Sequence, residues 1–127
     1  MTLPYNIGLK LSKKFIKLNP ELNLVPVGSL ARKEKMINDL DFITVEDLPN
    51  KKKYWTSEIN GVPVDVWKVQ NKSIGIFIRT IDKGHLIALH KILKKKGYKL
   101  DHNGILNLKT NELLPFSISK LNEITNQ

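Results

Sequence analysis

Asp39-Leu40-Asp41 places two carboxylates at alternate positions at the head of an apolar run, Leu40 to Val45. In a strand, positions i and i+2 project from one face, so the two acids stand side by side. Two anions that close repel each other, and the arrangement is tolerated when a cation or a shared proton lies between them. A hard divalent ion with oxygen ligands meets that need. Asp65 lies in a second run, Val62 to Val69, in which Val62, Val64 and Val66 alternate with Pro63, Asp65 and Trp67. An unpaired carboxylate in such a strand is costly. If the two strands are neighbours, three carboxylates converge, which is the geometry of two-metal phosphoryl transfer. One ion then bridges an incoming triphosphate and the other lowers the pKa of an attacking hydroxyl. Asp39 and Asp41 are expected to bridge both ions, with Asp65 serving the ion nearer the nucleophile. A surface Asp-x-Asp at a loop-to-strand junction is the alternative, and the pair alone does not decide between them.

A second constellation precedes the first. Gly28-Ser29 closes the apolar run Leu22 to Val27 and opens a charged, helix-compatible stretch, Leu30 to Asn38. Free backbone N–H groups at such a turn favour phosphate. Glycine lets the anion approach the backbone, and the serine hydroxyl adds a donor. Arg32, one helical turn on, can fork onto a phosphate oxygen. Taken by itself the pair reads equally well as an ordinary turn with serine as the N-cap. The combination of phosphate-binding turn, short helix and carboxylate strand is what points to nucleotide chemistry.

The elements that must hold these residues follow from periodicity. Ile7, Leu11, Phe15 and Leu18 recur at helical spacing, and Asn19-Pro20 stops the run. Leu48 to Lys53 reads as a loop carrying Lys51, Lys52 and Lys53. Ile59-Asn60-Gly61-Val62 is a hairpin signal joining two strand-like runs. Gly84 to Lys96 reads as a helix striped by Leu86, Leu89 and Leu93, with Gly97 as its cap. Lys94, Lys95 and Lys96 at its C-terminal end complement the helix dipole. Tyr98 to Leu114 is expected to form a hairpin around Asn103-Gly104, and Ser117 to Ile124 a final short helix. No internal repeat or low-complexity segment is present.

Composition bounds the class. At 127 residues the chain is one domain, or a domain with a small appendage, and long enough for a core of its own. It has no cysteine, so a metal must sit on oxygen or imidazole. No apolar run approaches a membrane span, and the start Met-Thr-Leu-Pro-Tyr-Asn lacks the features of a signal peptide. A soluble intracellular protein is the expectation. The net charge is +9, from Lys+Arg 21 against Asp+Glu 12, which favours a polyanionic partner; a well-solvated lysine-rich surface is the bland alternative. Only Arg32 and Arg79 are arginines, so both call for a geometric reason. Trp55 is expected in the core or at its rim, and Trp67 as a packed side chain. His85, His90 and His102 lack ligand spacing with one another.

Val27-Gly28-Ser29-Leu30-Ala31-Arg32, followed by Asn38-Asp39-Leu40-Asp41, resembles the signature of the family X DNA polymerases. That family carries Gly-Ser, an arginine three residues after the serine, and Asp-x-Asp starting ten residues after it; all three spacings hold here. The resemblance is closest to the small viral members, and Leu93-Lys94-Lys95-Lys96-Gly97-Tyr98-Lys99-Leu100 is similar to their thumb helix and the strand after it. It covers Leu22 to Val45 and Gly75 to Leu108 well, and the stretch between them only through Asp65.

The resemblance implies an α+β fold: a reduced nucleotidyltransferase palm with a short mixed sheet over residues 1–80, and a thumb-like subdomain over 81–127. It implies that Asp39, Asp41 and Asp65 hold two Mg2+ ions, for which Mn2+ can substitute. Gly28, Ser29, Arg32 and Arg79 then bind a nucleoside triphosphate, and Lys94, Lys95, Lys96 and His90 contact gapped or primer–template DNA. The implied activity is magnesium-dependent addition of a nucleotide to a DNA 3′ end in short-gap repair, with no membrane partner, in the host cytoplasm or a virus factory if the source is viral. The departures are specific. Asp41 and Asp65 are closer in sequence than in the viral members, so one or two palm strands are expected to be missing. The family's Phe-Thr-Gly segment appears as Arg79-Thr80-Ile81, and His90 stands where an arginine is common. The chain ends before the family's C-terminal tyrosine–proline segment and leaves no room for an N-terminal lyase domain. Two alternatives follow: a nucleotidyltransferase with a non-templated acceptor (RNA, protein or small molecule), or a non-catalytic DNA-binding relic. Oligomeric state stays open, although an exposed sheet edge could pair with a second copy.

Overall fold

Gly8, Ser12 and Phe15 form the buried stripe of the first long helix, α1 (Tyr5–Leu18), which follows the short strand β1 (Leu3–Pro4). Ile7 and Leu18, expected on that stripe, are exposed. The reason is a close approach: a Cβ on Gly8 would lie 3.1 Å from Cγ1 of Ile37, so the helix face centred on Gly8 is the one that packs inward. The protein is described here by a computed structural model that covers residues 2–81, 83–101 and 104–125.

The stretch after α1 is more broken than its apolar pattern suggests. Pro20–Leu22 forms a 3-10 turn and Asn23 takes a left-handed conformation, so strand β2 is limited to Val25–Val27. Helix α2 is likewise only Gly28–Ala31, because Lys33, at φ 56°, turns the chain into strand β3 (Met36–Ile37). The expected helix to Asn38 therefore stops early, and β3 instead pairs with β1. Strands β4 (Leu40–Thr44), β5 (Tyr54–Ile59) and β6 (Val62–Lys68) complete a four-stranded sheet in the order β2-β4-β6-β5. β4 and β6 are parallel, whereas β2 and β5 flank them antiparallel. Asn60 and Gly61 both have positive φ, 51° and 79°, as the two-residue primed turn requires.

The chain divides into two compact units, Met1–Lys72 and Ser73–Gln127. Helix α3 (Lys72–Thr80), for which the periodicity gave no expectation, falls almost wholly in the second. The boundary lies before the expected one at residue 80 because Phe77 and Ile78 of α3 pack against the second core. That unit continues with α4 (Lys83–Lys95), β7 (Tyr98–Asp101), β8 (Gly104–Asn107), β9 (Leu113–Leu114) and α5 (Ile118–Thr125). Gly97 ends α4, its N–H donating to the Lys94 carbonyl at 3.1 Å. The expected hairpin is present as β7 against β8, with β9 as a third strand; His102 and Asn103 lie outside the described residues. Leu93, Leu100, Ile105, Leu121 and Ile124 form its core. Among the described residues no helix is long and apolar enough to cross a membrane.

In the first unit Phe42, Val64 and Val66 are fully buried, and Phe15 stacks on Phe42 with ring centroids 5.5 Å apart. Trp55 lies at the rim of this core, 6.1 Å from Phe15. Phe42→Ala is expected to cost about 3–5 kcal/mol. Urea unfolding followed by the fluorescence of Trp55 is the check, and a loss well under that range would show that the site collapses around the gap.

Candidate active site

Parallel pairing of β4 with β6 puts Asp41 directly opposite Asp65. The valines at alternate positions of β6 point into the core, so Asp65 must face the other way, on the side shared with Asp41. Asp39 sits just ahead of β4, two residues before Asp41, and joins them. One carboxylate oxygen from each of Asp39, Asp41 and Asp65 lies within 4.8 Å of the other two, and all three residues are half-buried. Burial foremost, and then the Asp65 charge, push the Asp39 carboxyl above the usual carboxylate range; a hydrogen bond from its own backbone pulls the other way.

Gly28 sits against this cluster. It follows Val27, which pairs with Asp41 across β2 and β4. Its φ is +67°, and a Cβ there would lie 2.5 Å from Oδ2 of Asp41. Glycine is needed twice over, for the backbone conformation and for the space that the Asp41 carboxylate occupies. Ser29 lies within α2 and does not cap it: the N-cap is Val27, with no side-chain capping bond. Arg32 is exposed at the end of α2, and its guanidinium pairs with Glu34 at 3.3 Å.

Tyr54 is a site residue that motif spacing missed. Its hydroxyl donates to Oδ1 of Asp65 at 2.5 Å. That hydrogen bond, ahead of the nearby carboxylate charges, holds the phenol above its ordinary pKa and so protonated as a donor. The available signal was the hairpin register: counting back from the Asn60-Gly61 turn sets Thr56 opposite Asp65 and Tyr54 opposite Trp67.

The structure therefore brings together Gly28, Asp39, Asp41, Asp65 and Tyr54. Arg79, His90, Lys94, Lys95 and Lys96 belong to the second unit. There Arg79 is exposed on α3, His90 on α4, and Lys94 and Lys95 at the end of α4, while Lys96 is half-buried. The donor set of the cluster is all oxygen, and Asp39 resists ionisation because it is partly buried and, second to that, because the Asp65 carboxylate stands beside it. Such a set suits a hard divalent cation, which would remove that repulsion.

Two measurements test this account. The folded-state pKa of Asp39 lies above its unfolded value, so the ionised group disfavours the fold, and the penalty disappears as pH falls below the unfolded pKa. With chelator at neutral pH, Asp39→Asn is therefore expected to melt above the wild type. Added Mg2+ or Mn2+ should stabilise the wild type by about 2.7 kcal/mol at one hundred times the dissociation constant, read as a higher melting temperature, and leave the variant nearly unmoved. Gly28→Ala is expected to lose that metal response and to cost about 1–2 kcal/mol for the left-handed backbone. An unaltered metal response in Gly28→Ala would show that Asp41 can reposition freely.

No protein-family model matches the chain. It is similar to proteins named Repair DNA polymerase X of African swine fever virus. With that of isolate Pig/Kenya/KEN-50/1950 it shares 28% identity over 131 residues, covering 80% of this chain and 73% of the relative. With that of isolate Warthog/Namibia/Wart80/1980 it shares 29% identity over 129 residues at the same coverage. In fold it is similar to Leishmania infantum polymerase beta in a ternary P/T complex, with a TM-score of 0.68 at 14% identity, over 100% of this chain and 74% of the other. The chain is thus similar in sequence to viral repair DNA polymerases and in fold to a polymerase beta.

Proposed function

We propose that this chain is a minimal DNA polymerase that adds single nucleotides to a DNA 3′ end, in the repair of short gaps. The observation that carries the reading is the convergence of Asp39, Asp41 and Asp65 on neighbouring parallel strands, in a chain similar to viral repair polymerases. Asp39, Asp41 and Asp65 would hold the divalent ions, Mg2+ by preference. Bound there, the ions supply charge neutralisation for the triphosphate and a lowered pKa for the attacking 3′-hydroxyl.

The chain's own residues do the positioning. Gly28 leaves room for the Asp41 carboxylate, and with Ser29 and Arg32 at the following turn it takes the triphosphate. Arg32 exchanges Glu34 for a phosphate, and the exposed pair it gives up is worth little. Tyr54 orients the Asp65 carboxylate through its hydroxyl. Arg79 serves the nucleotide, while Lys94, Lys95, Lys96 and His90 contact the DNA backbone without reading sequence.

The test is single-nucleotide incorporation on one-nucleotide-gapped DNA, with Mg2+ and each dNTP and rNTP offered separately. Template-directed incorporation by the wild type, abolished in a folded Asp65→Asn variant, is the expected result. Arg32→Ala is expected to weaken triphosphate binding by about 1.5–3 kcal/mol. Metal-dependent addition that ignores the template would move the reading to another acceptor. Absence of both addition and nucleotide binding would leave a DNA-binding protein that keeps the fold.

A further inference from the structure

The outer side of α1 carries charge that none of the steps above uses. Between Ile7 and Leu18 its exposed residues are Lys10, Lys13, Lys14 and Lys17. Their spacing puts all four on one face, so that Lys10 stands beside Lys13 and Lys14, and both of these beside Lys17. Like charges so placed weaken a helix, and α1 contains no acidic residue to relieve them. Among the described residues none of the four pairs with an acid elsewhere. The Lys14 ammonium donates to Oδ1 of Asn60 at 3.4 Å, a neutral partner that leaves the charge uncompensated.

The helix turns its other side, Gly8, Ser12 and Phe15, into the core, where Phe15 stacks on Phe42. Phe42 and Asp41 are neighbours in β4 and point to opposite faces of the sheet. The lysines therefore lie on the far side of the first unit from the carboxylates, with a helix about 10 Å thick and the sheet between. A DNA end engaged at Asp39, Asp41 and Asp65 does not reach them, because a duplex is too stiff to fold round the sheet within a few base pairs. The face also selects among polyanions. Protein–protein interfaces are depleted in lysine and gather aromatic side chains at their centre, whereas this face has lysine at its centre and no aromatic group. A nucleic-acid backbone needs only point charges without fixed geometry, which lysine supplies. From Lys10 to Lys17 the helix rises about 10.5 Å, over which a duplex presents roughly six phosphate charges, enough to meet all four ammonium groups.

We infer that Lys10, Lys13, Lys14 and Lys17 form a second DNA-binding surface, which holds a separate duplex segment by its phosphates without reading sequence. The chain can then grip one stretch of duplex on α1 while another presents its 3′ end to the carboxylates. The inference rests on the polymerase reading for DNA as the polyanion, but its test does not need catalysis.

The experiment counts bound duplexes by sedimentation, with the full chain in chelator at low salt. The probe is a duplex of about twelve base pairs closed by a hairpin at each end, with no free terminus or gap in its stem and far too short to bend round the protein. With all four lysines replaced by glutamine, which keeps helix propensity and relieves the repulsion, the chain is expected to carry one duplex fewer than the wild type. Replacement of all four by arginine, which keeps the charge, should leave the count unchanged. The affinity of the site that is lost should fall about 100-fold between 50 and 200 mM salt, as four phosphate contacts require. An equal count in the wild type and the glutamine variant, the same loss in the arginine variant, or equally effective displacement of that duplex by polyglutamate of matched charge would overturn the surface. Because metal and triphosphate are absent, a chain that transfers no nucleotide can still pass this test, and an active polymerase can still fail it.

Discussion

Electrostatic repulsion among Asp39, Asp41 and Asp65 is the constraint around which the first unit is built. Left to themselves, three acids with oxygens within 4.8 Å would separate. They are held because the backbone leaves no choice: β4 and β6 are paired in parallel with Asp41 opposite Asp65, and the alternate residues of both strands are locked in the core. The fully buried Leu40, Phe42, Val64 and Val66 oppose the repulsion, since releasing the carboxylates would mean pulling those side chains into water. Core and site are two faces of the same strands. Gly28, lacking a side chain just after β2, and Tyr54, donating a hydrogen bond from β5, complete the accommodation.

Much of this was legible because it depends on a period of two. Alternation in Val62 to Val69 separates Asp65 from the valines without knowledge of any partner strand, and the Asp-x-Asp spacing does the same for Asp39 and Asp41. What escaped depends on neighbours distant in sequence. The apolar spacing of α1 allowed Ile7 and Leu18 on the inner stripe, and only the approach of Ile37 to Gly8 selects the other face. The early end of α2 turns on Lys33 entering a left-handed conformation, which no propensity of a charged stretch announces. Helix α3 was obscured by its composition: Ile74, Ile76 and Ile78 are β-branched and alternate, a pattern that serves a strand as well as a helix. The carboxylates were visible in the motif, and the Gly28–Asp41 contact was not, because it exists only once β2 and β4 are side by side.

The two units divide the charge differently. In the first, anionic groups are gathered at one point while Lys51, Lys52 and Lys53 stand exposed in a single turn. In the second, Lys94 and Lys95 are exposed at the C-terminal end of α4, where the helix dipole accepts them at no cost to the fold. A net charge of +9 is thus compatible with a strongly negative site, because the positive charge is distributed over turns and a helix end while the negative charge is focused.

The Asn60–Gly61 turn sets limits on how this protein can vary. Two residues at positive φ close the hairpin, and from that point the register runs without interruption to Tyr54. One residue inserted at the turn would invert the whole of β5, sending Tyr54 toward the core and Trp55 out. The same residue inserted between Leu48 and Lys53 would leave the pairing untouched. Among natural relatives, length differences on this side of the sheet should therefore accumulate in the lysine loop and be purged from the hairpin, even though the hairpin lies at the opposite end of the strand from the aromatic pair it aligns.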